Sequence, residues 1–64
     1  MSLLRHAIID HKHGLVTVTP VSAEATDYLA LHAPEGPDHT YFGPALILEL
    51  RFAEAFLTQM EEAL

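Results

Sequence analysis

The stretch "ALILELRFAEAFLTQMEEAL", residues 45–64, decides the fold, because its first residues fit either a strand or the start of a long helix. Side chains alternate along a strand, so an extended conformation places Leu46 and Leu48 on one face and Glu49 on the other. In a continuous helix, apolar residues recur every three to four positions from Leu46 to Leu64. The stretch therefore permits two folds.

We favour a strand over residues 45–50 followed by a helix over residues 51–63. A two-stranded ribbon is marginally stable alone, and a strand here supplies the third member that a small sheet needs. The continuous helix remains the alternative.

Two further strands are predicted upstream. The segments "RHAIID" (5–10) and "LVTVT" (15–19) are rich in residues that favour strands, and the second alternates in polarity. Between them, "HKHG" (11–14) is a polar connection whose glycine can adopt a positive φ angle. The pattern predicts a β-hairpin.

A helix follows the hairpin. Thr19 can cap it with Pro20 at the first helical position, and Ser22 is a competing cap. Pro34 ends the helix, because the residue before a proline avoids the helical region. The following "PEGPDHTYFGP" (34–44) is an acidic loop that we expect to include an extended piece at 40–42.

The predicted fold class is α+β: a three-stranded sheet in the order of elements ββαβα, with two helices packed on one face. We expect one domain over residues 1–64. The chain has no cysteine and is 50% hydrophobic, so its core must hold it together without disulfides. No apolar run approaches the roughly 20 residues of a membrane span, and no signal peptide is evident. We expect a complete, soluble, cytoplasmic protein that does not bind membranes.

Charge is the strongest functional signal. Nine carboxylates accompany three cations, Arg5, Lys12 and Arg51, giving a formal net charge of −6. This balance opposes direct binding to nucleic acid phosphates and attracts basic protein surfaces. The same charge also serves to keep an apolar domain soluble.

The carboxylates of the predicted helices and the loop are candidate contacts for a basic partner. Such groups on a rigid frame can imitate the phosphates of a nucleic acid and occupy the nucleic-acid-binding surface of a host protein. If the two helices lie side by side, seven carboxylates form one negative field. The candidate partner-binding residues are Glu24, Asp27, Glu35, Asp38, Glu54, Glu61 and Glu62.

We expect no enzyme activity and no cofactor. The serines are Ser2 and Ser22, and no cysteine or nucleophile motif is present. Paired carboxylates such as Glu61 and Glu62 fall on helix faces that look solvated, and a domain of this size has difficulty enclosing a ligand.

The "DHKHG" stretch (10–14) allows three interpretations. His11 and His13 are candidate metal ligands, with Asp10 or His6 added, but Lys12 places a positive charge beside them. Protonation of histidines below about pH 6.5 also offers a pH-dependent change of charge. A hairpin turn needs the same polar residues and glycine without either role.

A homo-oligomeric structural or regulatory protein is the main alternative function. Such a protein buries excess apolar surface against a second copy, so the chain is a monomer or a homodimer. Candidate interface residues are Leu31, Tyr41, Phe42 and Leu64.

The layout of "LVTVTPVSAEATDYL" (15–29) followed by "ALILELRFAEAFLTQMEEAL" resembles that of small acidic proteins encoded by phages and mobile elements. In these, a strand ending in Thr-Pro leads into a helix, and a second strand–helix pair follows. The resemblance covers about residues 15–33 and 45–64 and extends to anti-CRISPR inhibitors. It implies binding to a Cas protein and a block of target-DNA recognition. The "DHKHG" stretch has no counterpart in them.

Overall fold

The chain forms two successive units, each consisting of a β-hairpin followed by a helix. The structure is a computed structural model and describes residues 3–64. A short 3₁₀ helix, Leu3–Arg5, precedes the first unit. The elements are β1 (Ala7–Lys12), β2 (Leu15–Pro20), α1 (Ala23–His32), β3 (Thr40–Phe42), β4 (Ala45–Glu49) and α2 (Leu50–Ala63). The predicted α+β class is confirmed.

The sheet has four strands, and the prediction of three was wrong. Its order is β1-β2-β4-β3, and every neighbouring pair is antiparallel. The added strand, β3, is the piece predicted to be extended only. Phe42 pairs with Ala45 across a two-residue turn in which Gly43 has a φ of 62°. Because the turn brings β3 back beside β4, the order of elements is ββαββα.

The stretch that decides the fold forms a strand and then a helix, as favoured. β4 pairs with β2 on one side and β3 on the other, so it is an interior strand, and Leu46 is fully buried. The chain enters α2 at Leu50 with no intervening loop, and the Leu50 N–H donates to the Gly14 carbonyl at 2.9 Å. The next buried residues, Ala53 and Met60, are seven apart, which is a helical spacing.

The first hairpin turns more tightly than predicted. Lys12 pairs with Leu15, so the turn consists of His13 and Gly14 alone, with φ angles of 53° and 77°. Two positive φ angles in succession are typical of the type I′ turn, whose twist matches that of the strands. β1 consequently extends to Lys12, two residues beyond the predicted end.

Ser22, and not Thr19, caps α1. Thr19 and Pro20 belong to β2, and the Ser22 hydroxyl accepts a hydrogen bond from the Ala25 N–H at 3.1 Å. His6 Nδ1 lies 2.8 Å from the same hydroxyl and joins the cap to the start of β1.

The core lies between the two helices and one face of the sheet. Val18 pairs with Leu46 in the sheet, and both are fully buried with Leu29 of α1 and Met60 of α2 nearby in the same cluster. The cross-strand pairs define an opposite face, the outer sheet face, which carries alternate residues of all four strands. Both helices thus cover the inner face and leave the outer sheet face open.

Candidate interaction surfaces

All seven candidate carboxylates are exposed. Glu24 and Asp27 lie on α1, Glu35 and Asp38 in the following loop, and Glu54, Glu61 and Glu62 on α2. Within residues 3–64 the one ion pair joins Arg51 Nε to Glu49 Oε2 at 3.5 Å. None of the seven is therefore neutralised by a direct ion pair in the described part of the chain.

Charge is distributed unequally between the two sides of the molecule. The outer sheet face carries Asp10, Lys12 and Glu49, and Glu49 is paired with Arg51. The face itself thus has a net charge of −1, which Arg51 of α2 offsets at its border. The seven candidate carboxylates lie off this face, so the net negative charge belongs to the helices and the loop.

The α2 carboxylates do not all lie next to α1. Glu54 and Glu61 are three residues before and four residues after Leu57, so they share its flank of the helix. Phe56 occupies the other flank, where its ring meets that of Tyr28 on α1, with centroids 6.0 Å apart. Glu54 and Glu61 therefore lie on the side of α2 that faces away from α1.

The α1 carboxylates lie nearer the junction of the helices. Glu24 is four residues before Tyr28, which contacts α2, and Asp27 is one turn further along the outward surface. The helical carboxylates consequently form two bands, one on α1 and one on α2. The sequence analysis expected one continuous negative surface across both helices, whereas the structure separates the helical carboxylates into these two bands.

An aromatic strip separates the two bands. Tyr28 and Phe56 meet at its centre, and the His32 ring stacks on Tyr28 with centroids 4.2 Å apart. Phe52 is one turn from Phe56 and 55% exposed, and Leu31 at the edge of the strip is 75% exposed. We call these five residues the interhelical strip; the Arg51 guanidinium lies 4.6 Å from the Phe52 ring centroid and borders it.

The loop that carries Glu35 and Asp38 is anchored at both ends. His39 Nδ1 lies 3.1 Å from the Pro34 carbonyl, and the Tyr41 hydroxyl donates to the Ala33 carbonyl at 2.6 Å. Burial raises the pKa of the Tyr41 phenol, and the negative charge of Glu35 raises it further.

An open groove of about 330 Å³ lies between α1, this loop and the second hairpin. Its lining is mostly apolar and includes Leu29 and Tyr41. The Tyr41 hydroxyl already donates to the Ala33 carbonyl. The groove therefore presents a surface for apolar contact.

The histidines of "DHKHG" belong to a hairpin. His11 lies on β1, whereas His13 occupies the turn, so the strand alternation that would direct both rings the same way ends between them. Among residues 3–64, no three His, Asp or Glu side chains are grouped so as to hold a metal ion. The geometry fits the turn interpretation.

Ser22 is the one serine that the structure places, since Ser2 lies outside the described residues. A serine beside a histidine is the start of a nucleophilic pair. Here the Ser22 hydroxyl also accepts from Ala25 N–H at the helix terminus, and this arrangement caps α1. Sequence reasoning identified Ser22 as a cap but missed His6, because 16 residues separate the two.

The four residues proposed for self-association divide into two kinds. Leu31 and Phe42 are 75% and 79% exposed. Tyr41 and Leu64 are half-buried and pack against the core cluster. Sequence reasoning also missed the interhelical strip, although the four-residue spacing of Phe52 and Phe56 is a signal for it.

Over the described residues, the longest helix is too short and too polar to cross a bilayer. No family model, curated protein or solved structure matches this chain.

Proposed function

We propose that this protein is an inhibitor of a protein that ordinarily binds nucleic acid. It docks on a basic surface of that protein through its helix side, which we define as the surface formed by α1, α2 and the loop after α1. By occupying that surface it keeps the nucleic acid out. A Cas protein blocked from its target DNA is one such partner, and it is the one that the sequence resemblance suggests.

The observation that carries the proposal is the segregation of charge. Seven exposed carboxylates, none in an ion pair within residues 3–64, lie on the helices and their connecting loop, while the outer sheet face has a net charge of only −1. A one-sided field orients an approaching basic protein and raises the rate of association. The same field repels nucleic acid from this protein itself.

The interhelical strip supports a protein partner in particular. Stable interfaces combine an apolar, aromatic centre with a polar rim. Phe52 and Leu31 offer exposed apolar anchors, and the acidic bands on α1 and α2 flank them. Aromatic residues are frequent among the side chains that dominate binding energy.

The first test compares two charge reversals of equal size. Glu54→Lys changes the α2 band, and Asp10→Lys changes the outer sheet face; both side chains are exposed. Each protein is used to capture partners at low salt from a lysate of the cells that produce it. We expect wild type and Asp10→Lys to retain the same basic protein and Glu54→Lys to retain it at least tenfold more weakly.

The second test measures competition directly. The captured protein is purified and loaded with a fluorescent oligonucleotide, and release is followed by anisotropy. We expect wild type to displace the oligonucleotide and its potency to fall steeply with salt, because charges are screened beyond about 8 Å at physiological ionic strength. Simultaneous binding of both, or equal potency of Glu54→Lys, refutes the proposal.

A further inference from the structure

The outer sheet face is an apolar surface that none of residues 3–64 covers. Ile8, Leu15 and Phe42 on this face are 59%, 44% and 79% exposed. Thr17 and Ile47 pair with each other between them and are half-buried. A sheet with one face packed on helices usually turns a polar face to water, so this composition indicates a contact surface.

Charge restricts what can bind there. Asp10, Lys12 and Glu49 give this face a net charge of −1 in a molecule whose net charge is −6, and Arg51 of α2 pairs with Glu49 at its border. A basic partner is drawn to the helix side instead, and the face has no excess of cations to hold an anionic one. A second copy of this chain, repelled at its helix side, meets much weaker repulsion here.

The register of the strands makes one row of this face self-complementary. Lys12 pairs with Leu15, and Leu15 pairs with Glu49, so the three side chains stand in a row with the leucine at the centre. A two-fold axis running along β2, between two facing sheets, places Leu15 on the Leu15 of the second copy. The same rotation places each Lys12 opposite the other copy's Glu49.

We propose that two copies associate through their outer sheet faces about this axis. Leu15 lies on the axis near the hairpin end of the contact, two Lys12–Glu49 ion pairs flank it, and Ile8 of each copy faces Ala45 of the other. Phe42 on β3 then reaches the edge of the other copy's β1. The proposal does not rest on the inhibitor function, because it uses the opposite side of the molecule.

The area indicates a reversible dimer. About this axis, β1, β2 and β4 of one copy lie over β4, β2 and β1 of the other. Three strands about 4.8 Å apart, each rising about 3.4 Å per residue over about five residues, give a contact of roughly 250 Å² in projection. Stable interfaces bury about 800 Å² of accessible surface per partner, so this contact falls at the weak end. We expect dissociation on dilution through the micromolar range.

Sedimentation equilibrium from micromolar to millimolar concentration tests the surface. We expect wild type to dimerise, and Leu15→Lys and Phe42→Lys to weaken the dimer at least tenfold. The matched control is Leu31→Lys, on the helix side, which should leave the dimer unchanged; Leu31 is about as exposed as Phe42, at 75% against 79%. Circular dichroism checks that each variant is folded; Phe42 is so exposed that its replacement should preserve the fold.

A charge exchange tests the axis. Lys12→Glu and Glu49→Lys should each weaken the dimer, and the double variant should restore it, because the ion pairs re-form with the partners reversed. A wild type that stays monomeric at millimolar concentration overturns the proposal. So does a dimer that Leu31→Lys weakens and Phe42→Lys does not, or a double variant no tighter than the single ones.

Discussion

Tyr41 joins the second hairpin to the end of α1 through a single hydrogen bond. Its hydroxyl donates to the Ala33 carbonyl, and its ring packs against the core. Burial, aided by the charge of Glu35, raises the pKa of the phenol above its usual value of 10.0. The bond therefore depends on a proton that the folded state holds more tightly than the unfolded state does.

Replacing Tyr41 tests this linkage. Tyr41→Phe should lower the free energy of unfolding by about 1 kcal/mol near neutral pH, because one hydrogen bond is lost. Because the pKa of the phenol is raised in the folded state, its contribution to the free energy of unfolding is fully present below pH 10.0. The contribution is lost as the pH rises through the phenol pKa of the folded state. The difference between wild type and Tyr41→Phe should therefore shrink above that pH.

Denaturant unfolding on both sides of the phenol pKa measures the difference. Tyr28→Phe is the matched control, because it also removes one phenol hydroxyl while keeping the ring contact with Phe56. A gap between wild type and Tyr41→Phe that is constant or grows with pH contradicts the linkage.

Single residues were predictable from the sequence where local chemistry decides them. The cap of α1 is an example: Ser22 was one of two candidates, and pairing of Thr19 with Ile8 in the sheet selects it. The contacts of His6 and Tyr41 were not predictable, because their partners are 16 and 8 residues away and depend on how the elements pack.

At the scale of elements, the two hairpin turns hold the sheet in register. Gly14 and Gly43 have φ angles of 77° and 62°, in the left-handed region that glycine tolerates. Gly36, in the loop before β3, has no positive φ, and a side chain added there meets no neighbour within 4 Å.

Alanine substitutions separate turn geometry from loop length. Gly43→Ala should lower the free energy of unfolding by about 1 kcal/mol, because an L residue resists the left-handed conformation. Gly36→Ala should have little effect. Thermal melts of both variants check this; equal losses mean that the positive φ at Gly43 does not constrain the second hairpin.

The elements were predictable where a repeat of polarity runs over several residues. Alternation in residues 15–19 and helical spacing in α2 indicated their structures. β3 was missed as a strand because three residues, Thr40–Phe42, carry too little pattern to show pairing. In addition, the sequence of its partner strand, β4, fits either a strand or a helix, so the pairing of the two strands in a hairpin was not apparent.

At the scale of the whole molecule, self-repulsion opposes folding. The helix side concentrates seven carboxylates, and the described residues contain a single ion pair. Folding brings these charges closer together, and their repulsion lowers the free energy of unfolding. Dissolved ions screen this repulsion. Stability should therefore depend on ionic strength.

Added sodium chloride should raise the melting temperature by a few degrees at neutral pH. The double variant Glu61→Gln/Glu62→Gln, which removes two of the repelling charges, should respond less. Melting curves at low and moderate salt measure both. A melting temperature that falls with salt would indicate that attractive pairs dominate instead.

The sequence indicated that these carboxylates are exposed but not how they are grouped. Their grouping depends on the rotation of each helix about its axis, which the Tyr28–Phe56 contact fixes. Packing of both helices on one face of the sheet was predicted, but the residues of the open outer sheet face were not, because they depend on the register of all four strands.

The repetition of hairpin and helix makes the two halves of the chain interdependent. β2 and β4, one from each half, meet as the central strands of the sheet, where Val18 pairs with Leu46. A half on its own would leave an interior strand unpaired along one edge and would expose core side chains that the other half covers. Separation of β2 from β4 exposes the core of both halves at once. We therefore expect two-state unfolding, with no populated intermediate in which one half stays folded.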